Sequence, residues 1–403
     1  MSTSILYHGF RIYGYRYVSS QYQQGRLFSP LKKRSVLCAA HRARAGMFAA
    51  VGLNCDGSIP CPIGRKQLYI RLRIPRVFYR DCSVVRQISI GFADPRRTYT
   101  RSFERYVIEL SHHMTIQDVA LHLGVGWDLV KEIQRRYLVK RFSRPQLKRL
   151  KHIAIDEISI GKDHRYLTVV LDLLSGAVVF VGEGKGAEAL APFWQRLKCS
   201  RAKIEAVAID MSPAYISAVA DNLPKATIVF DHFHIIKLFN EKLSDLRRNI
   251  YQKLNKVGQK VLKGTRWLLL KNSHRLRPKY QEKQSLAKGL RINTALAAAY
   301  YLKEDLGQLW SQENKDEAGL FLDSWITRAS QTGVAMLNSF SKTLDRHRHG
   351  ILAYYNFPIT TGPLEGTNNN IKTLQKQAYG FRDIEFFKLK IYALHETKYA
   401  LVG

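Results

Sequence analysis

Four acids are spaced along this chain so that they could share one reaction. Three short apolar runs, HIAID, AVAID and TIVFD, close on Asp156, Asp210 and Asp231, and a fourth acid, Glu365, sits far downstream in TTGPLEGTNNNIK. Short β-branched runs bounded by polar residues read as buried strands. In open α/β sheets, functional groups collect just beyond the carboxyl ends of such strands. Carboxylates gathered there would repel one another unless a cation neutralised them, and hard oxygen ligands suit Mg²⁺ or Mn²⁺. The chemistry indicated is metal-dependent phosphoryl transfer. Singly, each acid has a plainer use. Glu365 could complement a helix-start dipole, Asp210 and Asp231 could cap the helices that follow them, and Asp156 could serve a turn. For Asp231 the cap is an equal alternative; the other three plain uses holding together, in this order and on these elements, is the less economical account.

The elements that must position these acids follow from the pattern. HIAIDEI reads as a strand, and RYLTVVLDLLSGAVVFVGEG as a hairpin turning at Ser175-Gly176. ALAPFWQRLKC is an amphipathic helix, KIEAVAID a strand, PAYISAVADNL a helix and KATIVFD a strand. Strand, hairpin, helix, strand, helix, strand is the order of a ribonuclease-H-like α/β core. With right-handed crossovers its first, fourth and fifth strands run parallel, so Asp156, Asp210 and Asp231 emerge at one sheet edge. Residues 235–350 carry apolar residues at spacings of three and four, which predicts an all-helical insertion. HRHGILAYYNFPITTG reads as a loop, and Pro363 then opens a helix through KTLQKQ. On that helix Glu365, Asn368, Asn369, Lys372 and Lys376 share one face. Glu157 and Asp172 are further acids near the first strand, expected either to be structural or to support the ligands from behind.

Charge identifies the class of partner. The 403 residues carry 64 Lys and Arg against 32 Asp and Glu, a net charge of +32. Residues 1–150 alone hold 27 basic and 8 acidic residues. Such an excess favours a polyanion, and nucleic acid is the natural one because neutralising phosphates releases counterions. Within this basic half, MTIQDVALHLGVGWDLVKEIQRRYL shows two helices joined by a short Gly-containing turn, a helix-turn-helix pattern over residues 101–145. Its second helix offers Trp127, Lys131, Arg135 and Arg136 outward, with Thr115 at the start of the first, and the basic run from Pro145 to Lys151 reads as a linker. A generic helix pair with a solvated basic face is the alternative.

Residues 1–100 read as short strands and turns, with KQLYIRLRIPRVFYRDC alternating basic and apolar residues. Cys38 and His41 have CxxH spacing, and Cys82 lies about forty residues on; a structural zinc site wants four ligands. Tyr79 occupies the position that would complete the second pair, so Cys55 or Cys61 would have to substitute. Thiols that bind no metal are the equal alternative. No secretory segment is expected, and the longest apolar stretch is broken by Asp172 and Ser175, so neither is a membrane span. The expected setting is a reducing cytoplasm, in association with the nucleoid.

At this point the chain resembles a bacterial insertion-sequence transposase of the DDE superfamily, specifically the ISL-three family. The residues that carry the resemblance are IAIDEISIGKDHRYLTVVLDLLSGAVV, VAIDMSPAYISAV, VFDHFHIIKLFNEKLSDLRR and GPLEGTNNNIKTLQKQAYGFRDIEFFKLKIY, with GFADPRRTYTRSFERYVIEL and the helix-turn-helix ahead of them. The resemblance spans most of residues 65–400. It implies a metal-binding triad of Asp156, Asp210 and Glu365, two Mg²⁺ ions, binding of the element's terminal inverted repeats, and strand cleavage and transfer. Asp231 and His234 form a D-x-x-H pattern expected to support the site. Asn369, Lys372 and Lys376 join the helix-turn-helix residues as expected contacts to double-stranded DNA, at both element ends and target. A homodimer or higher multimer on paired ends is implied as well. The expected domains are a zinc-ribbon-like region at 1–100, the helix-turn-helix at 101–145, a catalytic core from 151–234 and 358–400, and the helical insertion at 235–350. Family members usually begin with a zinc ribbon of four cysteines. Here His41 stands where one cysteine is expected and Tyr79 replaces another, a departure that bears on zinc and end recognition and leaves the triad untouched. The competing functions are a transposase-derived DNA-binding protein without catalysis and a ribonuclease-H-like nuclease.

Overall fold

The computed structural model describes residues 12–23, 26–33, 48–55, 59–63, 66–79, 84–87, 91–94, 97–161 and 164–396. The chain divides into two compact units, Met1–Arg141 and Phe142–Gly403. Among the described residues no helix is long and apolar enough to cross a membrane.

The first unit opens with seven strands in one sheet: β1 (Tyr15–Tyr17), β2 (Gln21–Gln23), β3 (Arg26–Lys33), β4 (Phe48–Cys55), β5 (Ile59–Ile63), β6 (Lys66–Tyr79) and β7 (Val84–Gln87). The alternating basic and apolar run forms the single long strand β6, which pairs with β3, β4, β5 and β7. Cys38, His41 and Cys82 lie outside the described residues. Three helices follow: α1 (Arg101–Leu110), α2 (Ile116–Leu123) and α3 (Trp127–Phe142). Phe103, Val107, Val119, Leu123, Val130 and Ile133 meet in one buried cluster, which is why spacings of three and four recur through this stretch. The turn between α2 and α3 depends on Gly124, whose φ of 63° is a left-handed conformation that a side chain would disfavour.

The second unit is built on a five-stranded sheet. Its strands are β8 (His152–Ser159), β9 (Tyr166–Asp172), β10 (Val178–Glu183), β11 (Ala206–Ile209) and β12 (Thr227–Phe230), in the spatial order β10-β9-β8-β11-β12. β8, β9 and β10 pair antiparallel, whereas β11 pairs parallel with both β8 and β12. This is a ribonuclease-H-like α/β arrangement, with β8, β11 and β12 parallel as expected. The helices α4 (Ala191–Ser200) and α5 (Pro213–Asn222) bury Phe193, Trp194, Tyr215 and Val219 in a core shared with the sheet. Asp172 closes the β9–β10 hairpin by accepting from Ser175 Oγ at 2.5 Å and Ser175 N at 3.0 Å, the structural one of its two expected roles.

β10 runs so close to the following turn that a Cβ on Gly182 would stand 2.2 Å from the Ala189 carbonyl oxygen. Backbone cannot step aside as a side chain can. A Gly182→Ala substitution is therefore expected to destabilise the second unit by about 1–3 kcal/mol. Denaturant unfolding checks this, and an unchanged midpoint would refute the close approach.

Residues 232–355 are helices and turns, with no strand among the described residues. In chain order the helices are α6 (His232–Lys253), α7 (Lys256–Lys263), α8 (Arg266–Leu270), α9 (Glu282–Leu290), α10 (Thr294–Leu306), α11 (Lys315–Gln331), α12 (Ala335–Arg346) and α13 (Arg348–Leu352). Phe239, Trp325 and Phe340 pack edge-on at centroid distances of 4.8–6.1 Å, and Trp325 Nε1 donates to Leu302 O, so the one polar atom of the largest buried ring is satisfied. The chain ends in α14 (Gly362–Gln377) and α15 (Ile384–Tyr392).

Two sequence expectations need correction. The run from Pro145 to Lys151 is no free linker: Leu147 and Leu150 are buried in the second unit's core, and Arg196 Nη2 donates to Pro145 O. The segment HRHGILAYYNFPITTG begins as helix α13 and a 3-10 turn at Ala353–Tyr355, because Ile351, Leu352 and Ala353 bury their side chains.

Candidate active site

β8 presents its two adjacent acids to opposite sides, as a strand must. Asp156 Oδ2 accepts from Asn368 Nδ2 of α14 at 2.9 Å, and its Oδ1 accepts from the Glu157 amide at 2.8 Å. Glu157 accepts instead from Tyr215 Oη at 3.2 Å, in a network that also includes Thr168. Burial, with some help from Glu157, pushes the Tyr215 phenol up to about 12. It therefore remains a neutral donor to Glu157.

Burial also pushes the Asp156 carboxyl above the ordinary carboxylate range. The Asp210 carboxylate adds to that push, while the Glu157 amide and His234 pull against it. Asp156, Asp210 and His234 are thus electrostatic neighbours, drawn from within β8, which runs on past Asp156 to Ser159, from just beyond β11 and from the first turn of α6. Asp210 itself accepts from Ser212 N at 3.0 Å, fixing the turn into α5. Glu365 is exposed on α14, one turn before Asn368, and α14 packs on β8. Gln375, farther along α14, donates to Ile160 O and fastens the same helix to the end of that strand.

Asp231 does something different. Only 2% exposed, it caps α6 by accepting from Phe233 N at 3.4 Å, and its Oδ2 accepts from Thr361 Oγ1 at 2.5 Å. Thr361 immediately precedes α14, so Asp231 joins the end of β12 to the start of the helix that bears Glu365. Both functions expected singly, the cap and the support, are geometrically compatible.

Among the described residues no three His, Cys, Asp or Glu side chains stand close enough together to hold a metal ion. The chemistry of the nearer groups nevertheless suits a hard divalent cation: two mutually repelling carboxylates, and a buried Asn368 Oδ1 with no hydrogen-bond partner on the same amide that holds Asp156. Asn368 is the residue that sequence reasoning undervalued. Helical spacing put it with Asn369, Lys372 and Lys376, but it is 7% exposed and turned to the sheet, while those three are exposed. The signal was its place beside Leu364 and Ile371, the buried stripe of the same helix.

In the first unit, Thr115 caps α2 by accepting from Asp118 N at 3.2 Å and donates to Asp118 Oδ2 at 2.7 Å. Trp127 begins α3 at 50% exposure with the Lys131 ammonium 6.0 Å from its ring centroid, and Arg135 is half-buried. Arg136 departs from expectation. Its guanidinium turns inward to Asp94 at 2.6 Å, Tyr99 Oη at 3.3 Å and Glu104 at 3.7 Å, because these groups on preceding segments offer it acceptors. Hydrogen bonds from Arg136 and then Arg101 hold the Asp94 carboxyl below its usual range. An Arg136→Ala variant is expected to lose about 1 kcal/mol of stability, the group being partly exposed. Thermal unfolding tests this; unchanged melting together with weakened DNA binding would return Arg136 to the DNA face.

Comparison with known proteins bears on both units. A family profile described as "Transposase" matches residues 153–391, and one described as "Helix-turn-helix domain of transposase family ISL3" matches residues 88–138. The transposase for insertion sequence element IS1001 of Bordetella parapertussis is 30% identical over 393 residues, 96% of each chain. The transposase for insertion sequence element IS1557 of Mycobacterium tuberculosis is 27% identical over 348 residues, 79% of this chain and 77% of that one. Among solved structures, the Drosophila P element transposase strand transfer complex aligns with a TM-score of 0.39 at 13% identity, over 76% of this chain and 94% of that chain.

Proposed function

Since this chain belongs to transposase family ISL3, and is thus a DNA transposase and an enzyme of DNA strand transfer, we propose that it binds the terminal inverted repeats of its own insertion sequence and acts there through Asp156, Asp210 and Glu365. The observation that carries the assignment is the Asn368–Asp156 hydrogen bond, which ties the helix bearing Glu365 to the strand bearing the first aspartate. DDE transposases generally use divalent metal ions, and Mg²⁺ is the ion proposed here. When bound, such ions activate the attacking water or 3′-hydroxyl and stabilise the leaving oxygen.

The chain's own groups do the rest. Asp156, within β8, and Asp210, just beyond the parallel strand β11, would supply carboxylate oxygens, and Glu365 would supply the third from α14. Asn368 orients Asp156. Asp231 and His234 support the site, Asp231 by fixing where α14 starts. Thr115, Trp127, Lys131 and Arg135 are proposed to meet DNA through the helix-turn-helix, with Asn369, Lys372 and Lys376 meeting it beside the acids. The domain boundaries proposed from sequence and a catalytic core interrupted by an all-helical insertion belong to the same reading. So does a dimer or higher multimer on paired ends. A zinc ion on Cys38, His41 and Cys82 is its most separable part, and less than one zinc per chain by metal analysis would remove it. The function itself is tested by incubating the full chain and Mg²⁺ with duplexes carrying the inverted repeats that flank its gene. Cleaved ends joined to a second duplex are the expected product; specific binding with no cleavage would favour a DNA-binding protein without catalysis.

A further inference from the structure

The helical region carries a concentration of charge that the acids do not explain. Residues 253–291 hold twelve Lys and Arg against one acid, Glu282. That acid is already spent within the fold, paired with Lys271 at 2.8 Å and Arg277 at 3.0 Å. The acids that come near from other helices are few: Glu241 and Asp245 of α6 line the groove beside Leu270, Asp245 pairing with Arg248 at 3.1 Å, and Glu304 accepts from Ser273 N.

Their arrangement is ordered. Lys256, Lys260 and Lys263 of α7 recur at four and three residues, so they share one face, opposite the fully buried Leu262. All three are exposed, and no described carboxylate lies within ion-pair distance of them. Arg266 follows, its guanidinium 4.8 Å from the centroid of Trp267, a ring left 65% exposed. Lys279 stands 6.0 Å from the centroid of Tyr280, which is 58% exposed. Cations set beside exposed aromatic faces suit a nucleic acid, which offers phosphates and flat sugar and base surfaces together.

The path of this surface is also fixed. α6 starts beside Asp231 and, with 22 residues, extends roughly 33 Å at 1.5 Å per residue. α7 then folds back along it: Gln259 Nε2 donates to Tyr251 O and Leu254 O, and Arg247 Nη1 donates to Leu262 O. By Leu270 the chain has returned to the early turns of α6, where Leu270, Phe233, Ile236 and Asn240 line a groove of about 330 Å³. The face therefore lies along α6, its three lysines beside the far turns between Arg247 and Leu254 and its α8 end beside the first turns. α6, along which the face lies, is about as long as one turn of B-form duplex, 34–36 Å.

We propose that the α7–α8 face is a second DNA-binding surface, which tracks the phosphate backbone of the bound duplex for about one helical turn away from the acids. This rests on the assignment of the acids as the reaction centre, and it adds a holding surface separate from the helix-turn-helix. Three phosphate contacts from the lysines predict a salt slope of binding reduced by about 2.7, since each contact contributes about 0.9 on B-DNA.

The test uses the full chain and duplexes carrying the element end, with the arm on either side shortened in turn. A Lys256→Gln/Lys260→Gln/Lys263→Gln variant should melt as the parent does, since glutamine is a good helix former. Its affinity should fall on the order of tenfold to a hundredfold with the predicted loss of salt slope. One arm cut below about ten base pairs should cost the parent as much, and cost the variant nothing further. An unchanged slope in the variant overturns the proposal, as does an equal loss of affinity in both proteins on shortening each arm. A Trp267→Ala variant, which leaves the charge intact, should weaken binding with the slope unaltered. Cleavage is not the readout, so an inactive triad and an idle basic face give different results.

Discussion

Asp156→Asn is expected to leave binding to element ends intact and to reduce strand cleavage and transfer by about a thousandfold or more. Loss of one group that stabilises developing charge costs about 10²–10³ in rate even where no metal is involved. Here the substitution also removes the negative charge that would hold a divalent ion. The neighbouring residue is the control. Glu157 lies on the other side of the strand and accepts from Tyr215, so Glu157→Gln should cost far less activity. Comparable losses in both variants would show that the strand merely tolerates no change. An Asp156→Asn protein within tenfold of the parent would remove Asp156 from the triad. The assay is joining of labelled repeat ends in Mg²⁺, with gel-shift binding measured on the same preparations.

The second large effect is expected at Asp231. Replacing it with alanine removes the cap on α6 and leaves the buried Thr361 hydroxyl without its acceptor. Each loss is worth about 1 kcal/mol, and a buried unsatisfied group about 1–3 kcal/mol. A total of roughly 2–4 kcal/mol should appear in denaturant unfolding. Strand transfer should fall about tenfold to a hundredfold even where the variant is fully folded, because the start of α14 is no longer fixed and Glu365 lies on its first turn. Thr361→Val isolates the shared bond. If Asp231 acts through Thr361, the activity losses will not add in the double variant; strict additivity would leave Asp231 as a helix cap alone.

The framework of the second unit was legible because its signals are local. β-branched runs, turn residues and their order suffice to place β8 to β12, and Asp156 and Asp210 come with them. What escaped depends on distant partners. Arg136 was expected outward by helical spacing, yet Asp94 lies 42 positions earlier and no periodicity announces it. Pro145 to Lys151 looked like a linker because it is basic, but two leucines in that run are enough to anchor it. Asn368 looked like one polar residue among several, and only its approach to a strand 212 positions away sets it apart. His347 to Gly362 resembled a loop for its histidines and glycines, although three consecutive residues within it are buried. Local rules recover elements; the pairing of remote polar groups is decided by packing.

The bond between Asn368 and Asp156 has a consequence in time as well as in space. The Tyr392 Oη to Val181 N bond spans a similar length, 211 positions, and fastens the last helix to the outermost strand of the sheet. Contacts of such long range form late, since much chain entropy must be lost before they bring any return. The helix-turn-helix, by contrast, closes within about forty residues and leaves the ribosome first. A growing chain therefore acquires its helix-turn-helix long before the proposed reaction centre, which cannot be assembled until Asn368 has been made.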